Sequence, residues 1–247
     1  MRNVSKIAVL IFACSVLSLG TAAQTPTPAP EKKPTTAAKA PEAGSGTFDP
    51  ALLHPETLRV KGPEEYSVKF ETTAGDFTMK VTRAWAPIGA DRFYNLVRHH
   101  FYDGAAFFRV LPGFMAQFGL SAYPEVSKVW ETAGIKDDPV VQSNVRGYVS
   151  FATAGPNTRT TQVFINYGNN KSLDGSGFTP FAVVTTGMEV VDKLYSGYGE
   201  GAPQGRGPDQ GRIGTGGRAY LEKGFPKLDS IRTATIVPEA AAPAPAK

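Results

Sequence analysis

The chain has 247 residues and carries 26 Lys and Arg against 22 Asp and Glu, a net charge of +4 with neutral histidines. So small an imbalance excludes an extended basic surface of the kind that binds nucleic acid. The length suffices for one domain with a substantial core, and a single cysteine allows no disulfide within the chain.

Residues 1–23 are typical of a secretory signal peptide. Arg2 and Lys6 precede an apolar run from Ile7 to Leu19, and small residues follow. The run is shorter than the roughly 20 residues of a spanning helix, so we expect no stable membrane span. Lipoprotein processing at Cys14 is the alternative, but the apolar residues around this cysteine fit it less well. We therefore expect an exported protein, periplasmic or secreted.

Two segments outside the expected domain have compositions that favour disorder. Residues 24–60 are predicted to be a Pro- and Ala-rich linker and lead-in, with five prolines and almost no large apolar side chain in the first part. Such a segment cannot bury enough surface to offset the entropy of ordering. The tail at 238–247 is similar and is predicted to be disordered. The globular domain is therefore expected at 61–237.

Within this domain the residue pattern predicts eight short strands and two helices. Alternating apolar residues predict strands at 66–73 and 76–82, and Ile88, Phe93, Leu96 and Val97 form the apolar face of a helix at 87–99. The other predicted elements are strands at about 106–111, 114–118, 147–152, 162–166, 181–185 and 229–236, and a helix at 188–195. The pattern favours a mainly β fold, an antiparallel barrel closed by helices.

Two connections are predicted to lack regular structure. Residues 119–146 have few periodic signals, so we expect a loop that packs over one face of the barrel. Residues 195–225 contain ten glycines. We interpret this second connection as structural, and a partner-binding or substrate-selecting loop is the alternative.

Residues 107–119 place one cation, Arg109, inside an otherwise apolar strand. A Pro-Gly turn follows, and then Phe114, Met115 and Gln117. An arginine on the solvent face of an edge strand is ordinary, but here alternation leaves neither face cleanly polar. The segment therefore indicates an apolar pocket with one fixed positive charge.

Residues 147–165 strengthen this interpretation. A strand ends in a Gly-Pro-Asn-Thr turn, and a second strand carries Gln162 and Phe164, again an amide beside an aromatic ring.

Together the two segments resemble the motifs of the cyclophilin family of peptidyl-prolyl cis/trans isomerases. The first family motif runs Phe-His-Arg, two aliphatics, Pro, any residue, Phe-Met, any residue, Gln; the second runs Ala-Asn-Ala-Gly-Pro, any residue, Thr, three variable residues, Gln. The resemblance covers about residues 66–236. It implies a bacterial, exported member with a closed antiparallel eight-stranded β-barrel capped by two α-helices.

The resemblance also implies an enzyme, EC 5.2.1.8, that acts in protein folding. Rotation about an X-Pro bond has a barrier of about 18–20 kcal/mol, and a catalyst must stabilise the twisted amide, whose nitrogen becomes a hydrogen-bond acceptor. By resemblance Arg109 donates to that nitrogen. The proline ring is assigned to Phe114, Met115, Phe164 and Leu173, a peptide carbonyl to Gln117, and further substrate contacts to Phe108, Ala152, Thr153, Ala154, Gln162 and Phe178.

This chain departs from the family pattern at Phe108, at Ser172 and at Val163, which replaces the first of two aromatics after Gln162. The family's His before the catalytic arginine is Phe108, and its pocket His or Tyr is equated with Phe178. Its Trp before Leu-Asp-Gly, which contributes to cyclosporin binding, is Ser172. We therefore predict weak sensitivity to cyclosporin.

Other chemistries find no support in the sequence. It lacks nucleotide-binding and nucleophile-elbow motifs, and the neighbours His99 and His100 point about 100° apart on a helix, which makes a poor metal chelate. Asp137 and Asp138 precede a proline and are predicted to cap a turn. We expect no cofactor and no metal, a monomer, and proline-containing polypeptides as substrates. The alternative is a non-catalytic module of the same fold that binds proline-containing segments.

Overall fold

A computed structural model describes residues 47–237, which lie within the compact unit Ala43–Lys247. The predicted signal peptide at 1–23 with Cys14, most of the predicted linker at 24–60 and the predicted tail at 238–247 lie outside the described residues. Among the residues described, no helix has the length and apolar character needed to cross a membrane.

The folded domain begins before residue 61, where the sequence placed its start. Residues Pro50–Leu53 form a 3-10 helix, and the carbonyl of its buried Leu52 accepts a hydrogen bond of 2.8 Å from Trp130 Nε1. The backbone of Val60 exchanges two hydrogen bonds with the side chain of the buried Asn95. These contacts tie the segment before residue 61 to the domain.

One antiparallel sheet of eight strands forms the framework of the domain. In chain order the strands are β1 (Glu65–Thr72), β2 (Asp76–Thr82), β3 (Arg109–Leu111), β4 (Met115–Phe118), β5 (Tyr148–Phe151), β6 (Val163–Asn166), β7 (Pro180–Thr186) and β8 (Ile231–Val237). Their order across the sheet is β3-β4-β6-β5-β7-β2-β1-β8. Each predicted strand is present, with ends that differ by a few residues.

The edge strands β3 and β8 are brought close by the segments that precede them. The N–H of Phe107 donates to the carbonyl of Asp229 at 2.9 Å, and the N–H of Gly104 donates to the carbonyl of Ile231 at 2.8 Å. The sheet is thus a curled antiparallel half-barrel. Among the described strands, β3 and β8 share no ladder, and a single antiparallel bridge between Ala106 and Ser230 joins the segments before them.

The core lies on the concave side of this sheet and is rich in aromatic rings. Burial alternates along β1 and β2, as the sequence pattern predicted. The facing pair Phe70 and Phe77 stacks with ring centroids 4.8 Å apart, and the ring of Phe118 meets that of Phe70 edge-on. This packing supports the strands that carry the site.

The described residues contain four α-helices, where the sequence predicted two. They are α1 (Pro87–Arg98), α2 (Pro124–Trp130), α3 (Met188–Val191) and α4 (Gln210–Gly224). The first and third correspond to the predicted helices at 87–99 and 188–195. The other two lie in the segments that were predicted as loops.

Helix α4 forms in spite of five glycines because tertiary contacts fix it. The Asp209 carboxylate accepts a hydrogen bond from the Arg212 N–H at the helix start, and Ile213 is buried. The helix kinks at Gly217, whose φ is +53°; a Cβ there would lie 2.4 Å from the carbonyl oxygen of Ala122. Gly217 thus permits a close approach to the chain before α2, which the low helix propensity of glycine does not reveal from sequence.

The start of α1 is capped by a residue distant in sequence. The Asp138 carboxylate accepts hydrogen bonds from the N–H groups of Ile88 and Gly89, at 3.0 and 2.8 Å, and from Arg159 Nη1 at 3.1 Å. Asp138 therefore caps a helix, where the sequence predicted that it caps a turn. The side chain of Ile88, which we placed on the apolar face of this helix, is exposed.

Candidate active site

A cavity of about 370 Å³ opens on the sheet between β3, β4, β6 and the segments that follow β5 and β6. The predicted site residues that line it are Arg109, Phe114, Met115, Gln117, Ala152, Thr153, Ala154, Gln162, Phe164, Leu173 and Phe178. Its wall also contains Thr158, Thr160 and Gln210, which the sequence did not single out. The structure therefore brings both sequence motifs to one place.

The register of three strands explains why Arg109, Gln117 and Phe164 meet. Arg109 on β3 is directly opposite Gln117 on β4, and Gln117 is directly opposite Phe164 on β6. Residues directly opposite on antiparallel strands project to the same face. Met115, two residues before Gln117, shares that face.

The guanidinium of Arg109 is held by two acceptors. Its Nη1 donates to Gln117 Oε1 at 3.1 Å, while Nε and Nη2 donate to the two carboxylate oxygens of Glu200 at 2.6 and 2.7 Å. The ring of Phe114 lies 6.0 Å from the guanidinium carbon. The Arg109 side chain is 23% exposed, so it is a partly desolvated cation with a fixed orientation.

Glu200 is a residue of the site that the sequence analysis missed. The Arg109 hydrogen bonds hold the pKa of the Glu200 carboxyl below its ordinary value, against a smaller opposing effect of burial. Glu200 lies in the glycine-rich connection 195–225, 91 residues after Arg109. The sequence gave no reason to single out Glu200, since nothing distinguishes it from any other carboxylate in a long connection. The connection that we interpret as structural thus also supplies an acceptor to Arg109.

Two amide side chains extend the polar part of the site. Gln117 Nε2 donates to Gln162 Oε1 at 2.8 Å, so the chain of donors runs from Arg109 through the Gln117 amide to Gln162. Both Gln117 and Gln162 line the cavity. An amide that is fixed in this way has one further Nε2 hydrogen with which to bind a peptide carbonyl.

The apolar floor of the cavity is assembled from two parts of the chain. Phe114 comes from the turn between β3 and β4, Met115 is the first residue of β4, and Phe164 comes from β6. The ring of Phe178 meets that of Phe164 edge-on with centroids 5.7 Å apart. Leu173 is supplied by the 3-10 helix Lys171–Ser176, whose Asp174 accepts a hydrogen bond from the Asn144 N–H.

The segment Ala152–Ala154 presents backbone groups to the cavity. The Ala152 N–H donates to the Gln162 carbonyl, and the Ala154 N–H donates to Thr158 Oγ1. For the Thr153 N–H the structure gives no acceptor among the described residues. Within this segment, the Thr153 N–H is therefore the backbone donor that remains available to an extended peptide.

Phe108, which we predicted as a substrate contact, is not among the residues that line the cavity. Its side chain is 2% exposed. Phe108 immediately precedes β3 and is buried, whereas Arg109, the first residue of β3, lines the cavity.

A metal site finds no support in the part of the chain that the structure describes, which contains no group of three or more His, Cys, Asp or Glu able to hold an ion. The two adjacent histidines at the end of α1 point to different partners: His99 Nδ1 lies 2.7 Å from Asp49, and His100 Nδ1 lies 3.1 Å from Asp103.

Similarity to known proteins indicates one family. Residues 67–210 match the family model described as cyclophilin type peptidyl-prolyl cis-trans isomerase. A peptidyl-prolyl cis-trans isomerase from Acinetobacter baylyi is 35% identical over 133 residues, which cover 51% of this chain and 70% of that protein. Peptidyl-prolyl cis-trans isomerase-like 3 from Mus musculus is 35% identical over 132 residues, which cover 52% of this chain and 81% of that protein.

A solved structure shows a similar fold. A cyclophilin type peptidyl-prolyl cis-trans isomerase from Cryptosporidium parvum superposes with a TM-score of 0.50 and 19% identity, and the match covers 71% of this chain and 99% of that chain.

Proposed function

This chain belongs to the cyclophilin-type peptidyl-prolyl cis-trans isomerase family, and we propose that Arg109 is the catalytic donor with which it accelerates rotation about X-Pro peptide bonds. One observation carries the proposal. The Arg109 guanidinium lines a cavity with an apolar floor and is held there by Gln117 and Glu200.

The chemistry requires a donor that prefers the twisted amide over the planar one. Amide resonance keeps the X-Pro bond planar, with a barrier of about 18–20 kcal/mol. When the bond twists, the nitrogen regains its lone pair and accepts a hydrogen bond. Each 1.36 kcal/mol by which Arg109 favours this state accelerates rotation about tenfold. Arginine suits the role because it stays charged at every physiological pH.

The remaining site residues bind and orient the substrate in this proposal. Phe114, Met115, Phe164 and Leu173 surround the proline ring, and their apolar surface excludes water from the Arg109 donor, which strengthens its interaction with the nitrogen. Gln117 binds a peptide carbonyl, and the Thr153 N–H binds the backbone of the substrate. Phe178 completes the floor through its contact with Phe164.

The alternative is a module that binds proline-containing segments without catalysing their rotation. A binding module needs the apolar floor and the Thr153 backbone, but it does not need a preorganised cation that faces the amide nitrogen. The geometry of Arg109 therefore favours the isomerase.

A direct test compares the wild type with Arg109→Ala on a proline tetrapeptide. We expect kcat/KM to fall about 10²–10³-fold, as when a single preorganised donor is removed from an active site. Arg146→Ala is the matched control. Two nitrogens of Arg146 also bind a carboxylate, that of Asp192, but Arg146 lies outside the cavity. Full activity in Arg109→Ala contradicts the mechanism, and an inactive wild type that still binds the peptide supports the binding module.

The proposed setting is protein folding outside the cytoplasm, with the protein exported through residues 1–23 and acting as a monomer. Mass spectrometry of the protein from a periplasmic or culture fraction is expected to find a mature N-terminus near residue 24. A lipid on Cys14 or an uncleaved N-terminus contradicts this, and light scattering of the purified protein tests the monomer.

A further inference from the structure

We propose that Glu200 is a positioning residue for this reaction: it orients the Arg109 guanidinium so that its remaining donors face the substrate. The inference rests on the proposed role of Arg109. The inference goes beyond that role because it assigns a function to the glycine-rich connection 195–225, which belongs to neither of the two motifs around the cavity.

The geometry of the pair defines which donors stay available. Glu200 occupies the edge of the guanidinium formed by Nε and Nη2, with distances of 2.6 and 2.7 Å. Gln117 occupies one hydrogen of Nη1, and Met115 Sδ, a weak acceptor, lies 3.9 Å from the same nitrogen. Planar two-point binding of this kind fixes the rotation of the guanidinium about its long axis. The second Nη2 hydrogen is then aimed by the protein before substrate binds.

Glu200 is itself held in place by a tight loop. Its Oε1 accepts a second hydrogen bond from the Gly201 N–H at 2.9 Å, and its carbonyl accepts one from the Gly207 N–H at 2.8 Å. A Cβ at Gly205 would lie 2.3 Å from the Glu200 carbonyl oxygen, and one at Gly207 would lie 2.8 Å from it. Side chains larger than hydrogen at these two positions therefore conflict with the observed path of the loop, and the glycines serve to place one carboxylate.

Glu200 is placed to orient Arg109 but not to contact the substrate itself. Glu200 does not line the cavity, whereas Arg109 does. Its effect on catalysis must therefore pass through Arg109. A carboxylate that only competed for the Arg109 donors would slow the reaction, whereas a carboxylate that orients Arg109 speeds it up. Removal of Glu200 distinguishes these two roles, because a competing carboxylate predicts a faster reaction without it and an orienting carboxylate predicts a slower one.

The test measures isomerase activity in Glu200→Gln and Glu200→Ala. We expect kcat/KM to fall about tenfold in both, since a donor that is free to rotate spends less time in the productive orientation. The dissociation constant of a ground-state X-Pro peptide is expected to stay within about twofold. Glu222→Gln, at an exposed position on α4, is the control with the same change in charge. Unchanged or increased kcat/KM in the Glu200 variants overturns the proposal.

A double-mutant cycle with Arg109→Ala separates positioning from a general structural effect. If Glu200 acts through Arg109, the second substitution has little further effect on kcat/KM in the Arg109→Ala background. A similar tenfold loss in both backgrounds contradicts the proposal, because it means that Glu200 supports the site by another route. In NMR spectra, the Arg109 Nε–H signal is expected to be protected from exchange in the wild type and to lose this protection in Glu200→Gln; equal protection in both proteins counts against the proposal.

The outcomes also separate this inference from the proposed function. If Arg109→Ala retains full activity, the role of Arg109 fails, and the inference fails with it. If Arg109→Ala loses activity but the Glu200 variants do not, only the inference fails.

Discussion

The carboxylate of Glu200 binds the guanidinium of Arg109 through two hydrogen bonds, of 2.6 and 2.7 Å, that join residues 91 positions apart. The half-barrel and the segment that follows β6 supply Arg109 and the apolar floor. The long connection before β8 supplies the acceptor that fixes the arginine. The site is thus a product of both parts, and the titration of Glu200 reports on the contact between them.

We predict that Arg109→Met raises the pKa of Glu200 towards its ordinary value. The Arg109 hydrogen bonds are the largest cause of the lowered pKa, so a neutral side chain of similar length removes it. Carbon NMR titration of the Glu200 carboxyl measures the shift. Arg146→Met is the control, because Arg146 is paired with Asp192 instead. An unchanged pKa in Arg109→Met means that the ion pair does not form in solution.

The lowered pKa of Glu200 also determines the direction in which stability changes with pH. The folded-state pKa of Glu200 is lower than the model value of 4.5, so the folded protein binds the proton less readily than the unfolded chain does. The stabilisation is present above pH 4.5 and is lost as the pH falls through the folded-state pKa. The wild type is therefore expected to exceed Glu200→Gln in free energy of unfolding at pH 7, with a smaller difference at pH 3.

The contrast between Glu200 and Gln117 shows what the sequence could predict about the site. Arg109 and Gln117 lie on two strands joined by a short turn, so alternation and turn chemistry suffice to bring them together. The contact with Glu200 depends on the path of a connection that has no periodic pattern. Helix α4 could not be predicted from the sequence for a related reason. Packing of α4 against Ala122 overrides the low helix propensity of the glycines in α4.

A second prediction concerns the buried ion pair at the start of α1. Asp138→Ala is expected to lower the free energy of unfolding by about 3–5 kcal/mol, because it removes the buried carboxylate that pairs with Arg159 and leaves two helix N–H groups without an acceptor. Both side chains of the pair are 1% exposed. Asp137→Ala is the control: its side chain is 37% exposed and lies 3.3 Å from Arg159 Nε, so we expect a loss below about 1 kcal/mol. Urea unfolding checks both values, and equal losses in the two variants contradict the assignment.

A third prediction concerns inhibition by cyclosporin. Ser172 is exposed on the 3-10 helix that supplies Leu173 to the cavity, so the wild type lacks the indole that the family uses there. We expect Ser172→Trp to lower the inhibition constant about tenfold, which requires roughly 60 Å² of added apolar contact at about 25 cal/mol per Å². Ser176→Trp, at an exposed position of the same helix outside the cavity, is the control. A nanomolar inhibition constant for the wild type contradicts the prediction.

A fourth prediction tests whether Phe108 limits catalysis. The family has His at this position, so this chain lacks any polar contact that the histidine makes there. The structure places the Phe108 side chain away from the cavity and leaves it 2% exposed. An imidazole there loses apolar burial and places polar nitrogens in a dry environment, which costs about 1–3 kcal/mol per unsatisfied group. We therefore expect Phe108→His to reduce the free energy of unfolding by that amount and to leave kcat/KM of the folded fraction unchanged. Urea unfolding and the tetrapeptide assay measure the two quantities, and a variant of unaltered stability with a higher kcat/KM means that residue 108 reaches the substrate after all.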